Sequence, residues 1–269
     1  LNDVFKNIEL LKTLDINIFS IFVYDNCSDN SEQLLLEYKT KNKDKDNIFI
    51  EKIINNSPLR TVRIAKARNK CLEILYNKLK NISFHIVIDC DNVGAPKWNM
   101  DIINKYLHNF DGDNWDCISF NKNSESKSYP YYYDIWALLY DDFKEHCYGY
   151  TLNKCLDVVY LMRRDITRKL EQCKSNSIEV MSAFNGFAIY KTERFKGFYY
   201  DGLYKNFKPL ITDAERNKTI ETLKKYNIHT ELAQGEKCGS GEQVSEHLFY
   251  HVSALNKGRK IKISKLIIN

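Results

Sequence analysis

The sequence predicts an α/β protein with a mostly parallel central sheet flanked by helices and a less regular C-terminal region, and three observations carry that reading. Apolar β-branched runs alternate with helical periodicity through the first half, in the order helix, strand, helix, strand. Apart from His85, the run Phe84 to Ile88 is apolar and rich in β-branched residues, as a strand buried on both faces tends to be. It ends in Asp89-Cys90-Asp91, which sets two carboxylates at a C-terminal strand edge, where open α/β sheets bind ligands.

Val4, Ile8 and Leu11 share one face of a helix within residues 1–14. Ile16 to Tyr24 reads as a strand, and residues 25–31 have the turn and N-cap composition that opens a helix carrying Leu34, Leu35 and Tyr38. A short strand follows at 47–53. A parallel sheet usually opens with a strand before its first helix, and none is read here, so the chain starts late in that unit or its upstream residues were removed. Residues 61–79 give the clearest helix, with Ile64, Ala67 or Arg68, Cys71, Leu75 and Leu79 at helical spacing. Arg68 and Asn69 fall beside that stripe, so burying them requires partners. Arg68 either caps a neighbouring strand end or turns its planar guanidinium toward anionic oxygens.

After Asp91 the pattern predicts a turn at 92–98, a helix at about 99–108 and a strand at 115–120. A polar loop leads to Tyr131, Tyr132 and Tyr133 ahead of Asp134 and Trp136. Three consecutive tyrosines cannot all face one core; some line a surface or cleft, where aromatic faces stack on sugars or bases, or pack beneath a loop. Residues 151–174 read as a basic helix with a solvated face. Ile178 to Tyr190 reads as a strand pair or a bulged strand around Gly186, and 192–235 shows no clear pattern. In a helix, His247 and His251 would share a face four residues apart, a workable metal-ligand spacing. The alternating run 259–268 predicts a final strand at a sheet edge.

With 269 residues, 43% of them hydrophobic, and only 4 Pro and 10 Gly, the chain has material for an ordinary core and no linker, so it reads as a single domain over 1–269. The net charge of +5 is modest and the lysines are scattered, as in 39–46, which argues against a nucleic-acid partner. The eight cysteines form no Cys-x-x-Cys pair, which argues against structural zinc. With no signal peptide and no transmembrane segment visible, the expected location is the reducing cytoplasm. Two carboxylates converging at one strand end repel unless a cation lies between them, so Asp89 and Asp91 read as half of a divalent-metal site.

Asp25 in its turn after a strand, Ala67-Arg68-Asn69 in a helix, and Asp89-Cys90-Asp91 after the next strand come in the order seen in nucleotide-sugar glycosyltransferases of the GT-A fold. The chain resembles that family over about residues 15–135. Tyr133 to Trp136, Asn185-Gly186 and Glu246-His247 are also similar to late motifs of fungal capsule-type mannosyltransferases and related viral enzymes. The resemblance implies a Rossmann-like GT-A sheet, with a nucleotide-sugar-binding half at about 1–125 and an acceptor-binding half at about 126–269. It implies Mn²⁺ or Mg²⁺ on Asp89 and Asp91 bridging the diphosphate of a UDP- or GDP-sugar, with Asp91 the direct ligand and Asp89 a ligand or a partner of ribose or sugar. Asp25 would lie near base or ribose, Arg68 against the diphosphate or sugar, and His247 or His251 would complete the metal shell. Asp134 and Glu246 are the candidates for a catalytic base on a glycan or glycoconjugate acceptor if the transfer inverts; a retaining enzyme needs none. A nucleotidyltransferase and a non-catalytic nucleotide- or glycan-binding module are the competing readings.

Overall fold

The computed structural model describes residues 1–91, 97–108, 114–121, 132–147, 152–229 and 242–268. Residues 92–96 of the turn expected at 92–98, the polar loop with Tyr129 and Tyr131, and the stretch 238–241 lie outside them.

In the first half, α1 (Asn2–Leu11), β1 (Ser20–Tyr24), α2 (Ser31–Lys41), β2 (Ile48–Lys52), α3 (Arg60–Lys78), β3 (Phe84–Ile88), α4 (Met100–His108) and β4 (Cys117–Asn121) alternate as the sequence predicts. The second half adds α5 (Leu152–Gln172), β5 (Ser177–Val180), β6 (Phe187–Lys191), α6 (Thr192–Phe195), α7 (Tyr204–Phe207), α8 (Asp213–Lys225), α9 (Glu246–Leu255) and β7 (Ile261–Ile267). Helix α8 falls where no pattern was read, yet Thr212 and Glu215 form a reciprocal capping box at its start. No described helix is long and apolar enough to cross a membrane.

Strands β1 and β2 form a parallel pair, and a five-stranded sheet has the order β3-β6-β4-β7-β5. Of its four ladders only β4 with β7 is parallel, so the sheet is mixed and not mostly parallel. Two strands run against the rest, β6 between β3 and β4 and β5 beside β7. The segment read as one bulged strand or strand pair is therefore two strands in different places, since β5 pairs only with β7. Strand β7 is interior and β5 is the edge, as the fully buried Ile261 and Ile263 require.

Side chains alternate between two helical layers. Ile21 of β1 and Val87 of β3 pack toward α3 in the largest core cluster, with Leu72 and Leu75. On the other face Phe22 meets Val4 and Ile8 of α1, and Ile86 lies in a cluster with Leu11 and Trp115. The buried residues of α3 are Thr61, Ala65, Leu72, Ile74 and Leu75; Leu75 falls where expected, while Ala65 and Leu72 take the places expected of Ile64 and Cys71. At this i, i+4, i+7 rhythm Arg68 stands within the core-facing stripe, between Ala65 and Leu72.

Asn185 joins the parts that meet at this end of the sheet. It takes a left-handed backbone with φ +57°, followed by Gly186 at φ +80°, conformations that Asn and Gly adopt most readily. Its Oδ1 accepts from the amides of Tyr133 (3.1 Å) and Asp134 (2.9 Å), and its Nδ2 donates to the Phe120 carbonyl (2.8 Å). The Asp89 amide donates to the Gly186 carbonyl at 3.1 Å, which ties the end of β3 to the same turn. Replacing Asn185 by Ala removes three hydrogen bonds from a fully buried residue, so urea unfolding should show a loss of about 2–4 kcal/mol. A loss below about 0.5 kcal/mol would contradict this role.

Candidate functional site

Arg68 is the centre of the site because the α3 stripe points it inward. Its side chain is 12% exposed; Nη2 donates to Asp89 Oδ1 at 2.7 Å, and Nη1 lies 2.7 Å from Glu246 Oε1 in an ion pair. The guanidinium carbon is 4.7 Å from the ring centre of Phe184 and 5.6 Å from that of Tyr200, so aromatic faces complete its surroundings. Asn69, the next residue, exchanges two hydrogen bonds with the Tyr200 backbone, at 2.9 and 2.7 Å. That pairing fixes Tyr200 beside Arg68 and supplies the partner the half-buried Asn69 needs.

Burial works against the Arg68 charge, but the nearby Glu246 and Asp89 carboxylates overcome it and raise its proton affinity. Glu246 opens α9 and is itself almost buried, its side chain 7% exposed. Burial raises its pKa and Arg68 opposes the rise. Asp134 is pushed up to about 6, by burial first and then by the charge of Asp89; Glu246 adds to the rise, while the Ala137 amide and Arg68 oppose it. The Asp134 Oδ1 accepts from the Ala137 amide at 3.2 Å. Three carboxylates thus surround one guanidinium, and burial together with the neighbouring Asp89 and Glu246 charges raises the proton affinity of Asp134.

Arg68, Asp89, Asp134 and Glu246, singled out separately in the sequence, are brought together from α3, the end of β3, the segment after 131 and the start of α9. Asp91 lies two residues beyond Asp89 on the exposed side. Asp25 is at the end of β1, where its Oδ1 accepts from the amides of Asn26 (2.8 Å) and Asn55 (3.3 Å) and so ties the loops after β1 and β2; no described contact joins it to Arg68. His247 is buried and stacked on Phe184 with ring centres 3.8 Å apart, and Glu246 Oε1 is 3.8 Å from its Nε2. Neither ring nitrogen has a hydrogen-bond partner among the described residues, and burial, with Arg68 and His251 alongside, keeps the ring neutral.

His251 does not suit the metal-ligand expectation. It is fully buried, with Nδ1 3.0 Å from Ser182 Oγ and Nε2 2.9 Å from the Tyr190 hydroxyl, so both ring nitrogens are already engaged in the core. Among the described residues no three His, Cys, Asp or Glu side chains come together as a metal-holding group. Two surface cavities of about 620 and 300 Å³ are lined by residues 29–41 and by residues around Tyr140 and Lys169, so neither includes a member of the Arg68 group.

Phe184 and Tyr200 were not foreseen. Their signal was indirect: an arginine within a core stripe demands flat, polarisable neighbours as well as anions, but nothing local in 181–200 says which aromatics supply them. Tyr132 is fully buried and Tyr133 is 46% exposed, so neighbouring tyrosines divide between core and surface. Compared with known protein families and with curated proteins, the chain matches no family and no individual sequence.

The raised pKa of Asp134 has a signed consequence. An unfolded Asp titrates near 3.9, so between about pH 4 and 6 the native state holds the extra proton and stability falls as pH rises through that window. Asp134→Asn should therefore be more stable than the parent above pH 6, with the advantage shrinking toward pH 4 in urea unfolding. An advantage that is equal at pH 4 and pH 7.5 would contradict the assignment.

Proposed function

We propose that the chain is a metal-dependent glycosyltransferase of GT-A-like architecture, moving a sugar from a nucleoside-diphosphate donor to a hydroxyl of a glycan or glycoconjugate. The observation that carries this reading is the convergence of Arg68, Asp89, Asp134 and Glu246 at the C-terminal end of β3, with Asp91 just outside. Glycosyl transfer of this kind needs the leaving diphosphate stabilised as its charge grows, and a fixed guanidinium supplies that electrostatically.

The fit of a divalent cation follows from the donor set. Asp89, Asp91, Asp134 and Glu246 offer hard oxygens and their cluster carries surplus negative charge. Mg²⁺ and Mn²⁺ suit oxygen donors, and Mg²⁺ is commonly held by one or two carboxylates plus substrate phosphates, so a pre-built cage of three protein ligands is not required. Asp91 and Asp89 would hold the ion; when bound it would act as a Lewis acid on the diphosphate. Of the two histidines, His247, beside Glu246 with both buried ring nitrogens lacking a hydrogen-bond partner among the described residues, would be the one to join them, whereas His251 is committed to the core.

Between the two candidate bases, Asp134 fits better. Glu246 is engaged with Arg68 at 2.7 Å and acts to position it, while Asp134 has its proton affinity raised toward the range a base needs. Exposed Tyr133 beside it offers an aromatic face for an acceptor sugar. None of the described cysteines is in a disulfide, which favours a reducing, cytosolic setting.

Calorimetric titration with UDP and GDP, with and without Mn²⁺, tests the reading, followed by a donor-sugar panel. One of the two nucleotides should bind in a Mn²⁺-dependent way, and Asp91→Ala should weaken that binding at least about tenfold and abolish transfer. Because Asp91 is exposed, the variant's unfolding free energy should stay within about 0.5 kcal/mol of the parent. Unchanged turnover in Asp91→Ala would overturn the proposal, and Mn²⁺-dependent binding without turnover of any donor would identify a binding module.

A further inference from the structure

The N-terminal end of α3 is fastened at one point to the two segments that carry Tyr200 and Glu246. Thr61 is fully buried; its amide donates to Gln243 Oε1 at 3.2 Å and its hydroxyl to the Gly202 carbonyl at 2.8 Å. The Val244 amide donates to the same Gly202 carbonyl at 3.0 Å. Gly202 approaches so closely that a Cβ there would lie 2.4 Å from the Thr61 carbonyl carbon, a separation no side chain tolerates. Arg60 precedes Thr61 and therefore stands on a fixed backbone.

Arg60 is exposed, with its guanidinium carbon 6.0 Å from the ring centre of Trp136. The cations that follow it on α3 are already engaged: Arg63 donates to the carbonyls of Ser57 and Pro58, Lys66 to that of Ile54, Arg68 to Asp89 and Lys70 to Glu73. Arg60 makes no hydrogen bond or ion pair with any described residue. An indole attracts a guanidinium through its face, which leaves the N–H edge, the part that grips an anion, in solvent. No acidic residue stands in the first turn of α3, so the positive end of the helix adds to this charge. The pair also borders the Arg68 group. Trp136 lies two residues after Asp134, in the turn that the Asp134 carboxylate closes on the Ala137 amide. Burial raises the pKa of Glu246, and Arg60 is near enough to oppose that rise along with Arg68.

We propose that Arg60, held over Trp136, is a specificity residue that binds an acidic group, carboxylate or phosphate, on the acceptor sugar. The inference rests on the glycosyl-transfer reading and names the acceptor class within it. The Arg68 guanidinium divides the site, with Nη2 on Asp89 and Nη1 on Glu246, and Arg60 lies on the Glu246 side, away from the aspartates assigned to the donor diphosphate. A planar guanidinium takes a carboxylate or a phosphate through two parallel hydrogen bonds, and an uncharged sugar offers no such partner. The nearby protein carboxylates do not compete, since Glu246 is paired with Arg68 and Asp134 accepts from the Ala137 amide. Exposed Tyr133, ahead of Asp134, supplies a flat face for the ring of the same sugar.

Trp136 gives the readout, because the other two of the three tryptophans, Trp98 and Trp115, are buried. The 269-residue protein, Arg60→Gln and Arg60→Lys are titrated, without nucleotide or Mn²⁺, with methyl glucuronide, methyl glucoside 6-phosphate and uncharged methyl glucoside, and tryptophan emission and heat are recorded. The parent should bind at least one acidic glycoside about three- to tenfold tighter than the uncharged one, the gain expected of an exposed but bidentate arginine pair. The tighter of the two identifies the acidic group. Arg60→Gln should bring acidic binding down to the uncharged level with an unchanged Tm, and Arg60→Lys should keep part of the preference. Equal or absent binding of all three glycosides by the parent, or a preference that survives in Arg60→Gln, would overturn the proposal. Donor and metal are absent from this titration, so its failure does not bear on nucleotide binding, which is measured separately.

Discussion

A guanidinium that is 12% exposed has to be matched by anions, and here the match comes from opposite ends of the chain, Asp89 after β3 and Glu246 at the start of α9. Removing one member of a buried pair leaves the other uncompensated, at a cost of about 3–5 kcal/mol. That penalty makes Arg68 a constraint on the whole arrangement: α3 must keep its rotation, α9 must begin where it does, and β3 must end at Asp89. Phe184 and Tyr200 then close around the guanidinium, and Asn69 holds Tyr200 in place.

The same constraint creates the chemistry. Asp134, held in the same pocket of the fold, has its pKa raised to about 6 by burial first and by the charge of Asp89 second. The proposed activity builds on this group: a divalent cation with its own anionic ligand would offset the carboxylates that Arg68 leaves unmatched. The Asn185-Gly186 turn supplies the rigidity, since it fastens β4, the Asp134 segment and the end of β3 through hydrogen bonds made by one buried amide and its neighbour.

Much of the first half was legible because period-two and period-3.6 patterns survive there with clear turn chemistry between them. Arg68 was legible as a problem, a charge beside an apolar stripe, but its solution was not, since Glu246 lies far away in sequence and only the fold brings it near. The mixed sheet escaped notice because β6 is apolar and buried up to Tyr190, and burial on both faces does not encode strand direction. The same holds for β7, whose alternation suggested an edge although β5 covers it. His247 and His251 share a helix spacing, yet one meets the Arg68 cluster and the other meets Ser182 and Tyr190. Spacing alone could not separate them, because which atoms surround a buried ring is decided by tertiary packing.

The central claim is that the carboxylates around Arg68 bind a divalent cation together with a nucleoside diphosphate. Anomalous scattering from crystals grown with Mn²⁺ and UDP, and in parallel with Mn²⁺ and GDP, tests it most directly. The account predicts a manganese peak bonded to a carboxylate oxygen of Asp91 or Asp89, with diphosphate oxygens completing its shell and Arg68 in contact with the diphosphate. Nucleotide density elsewhere on the molecule, or manganese bound without either aspartate, would contradict it.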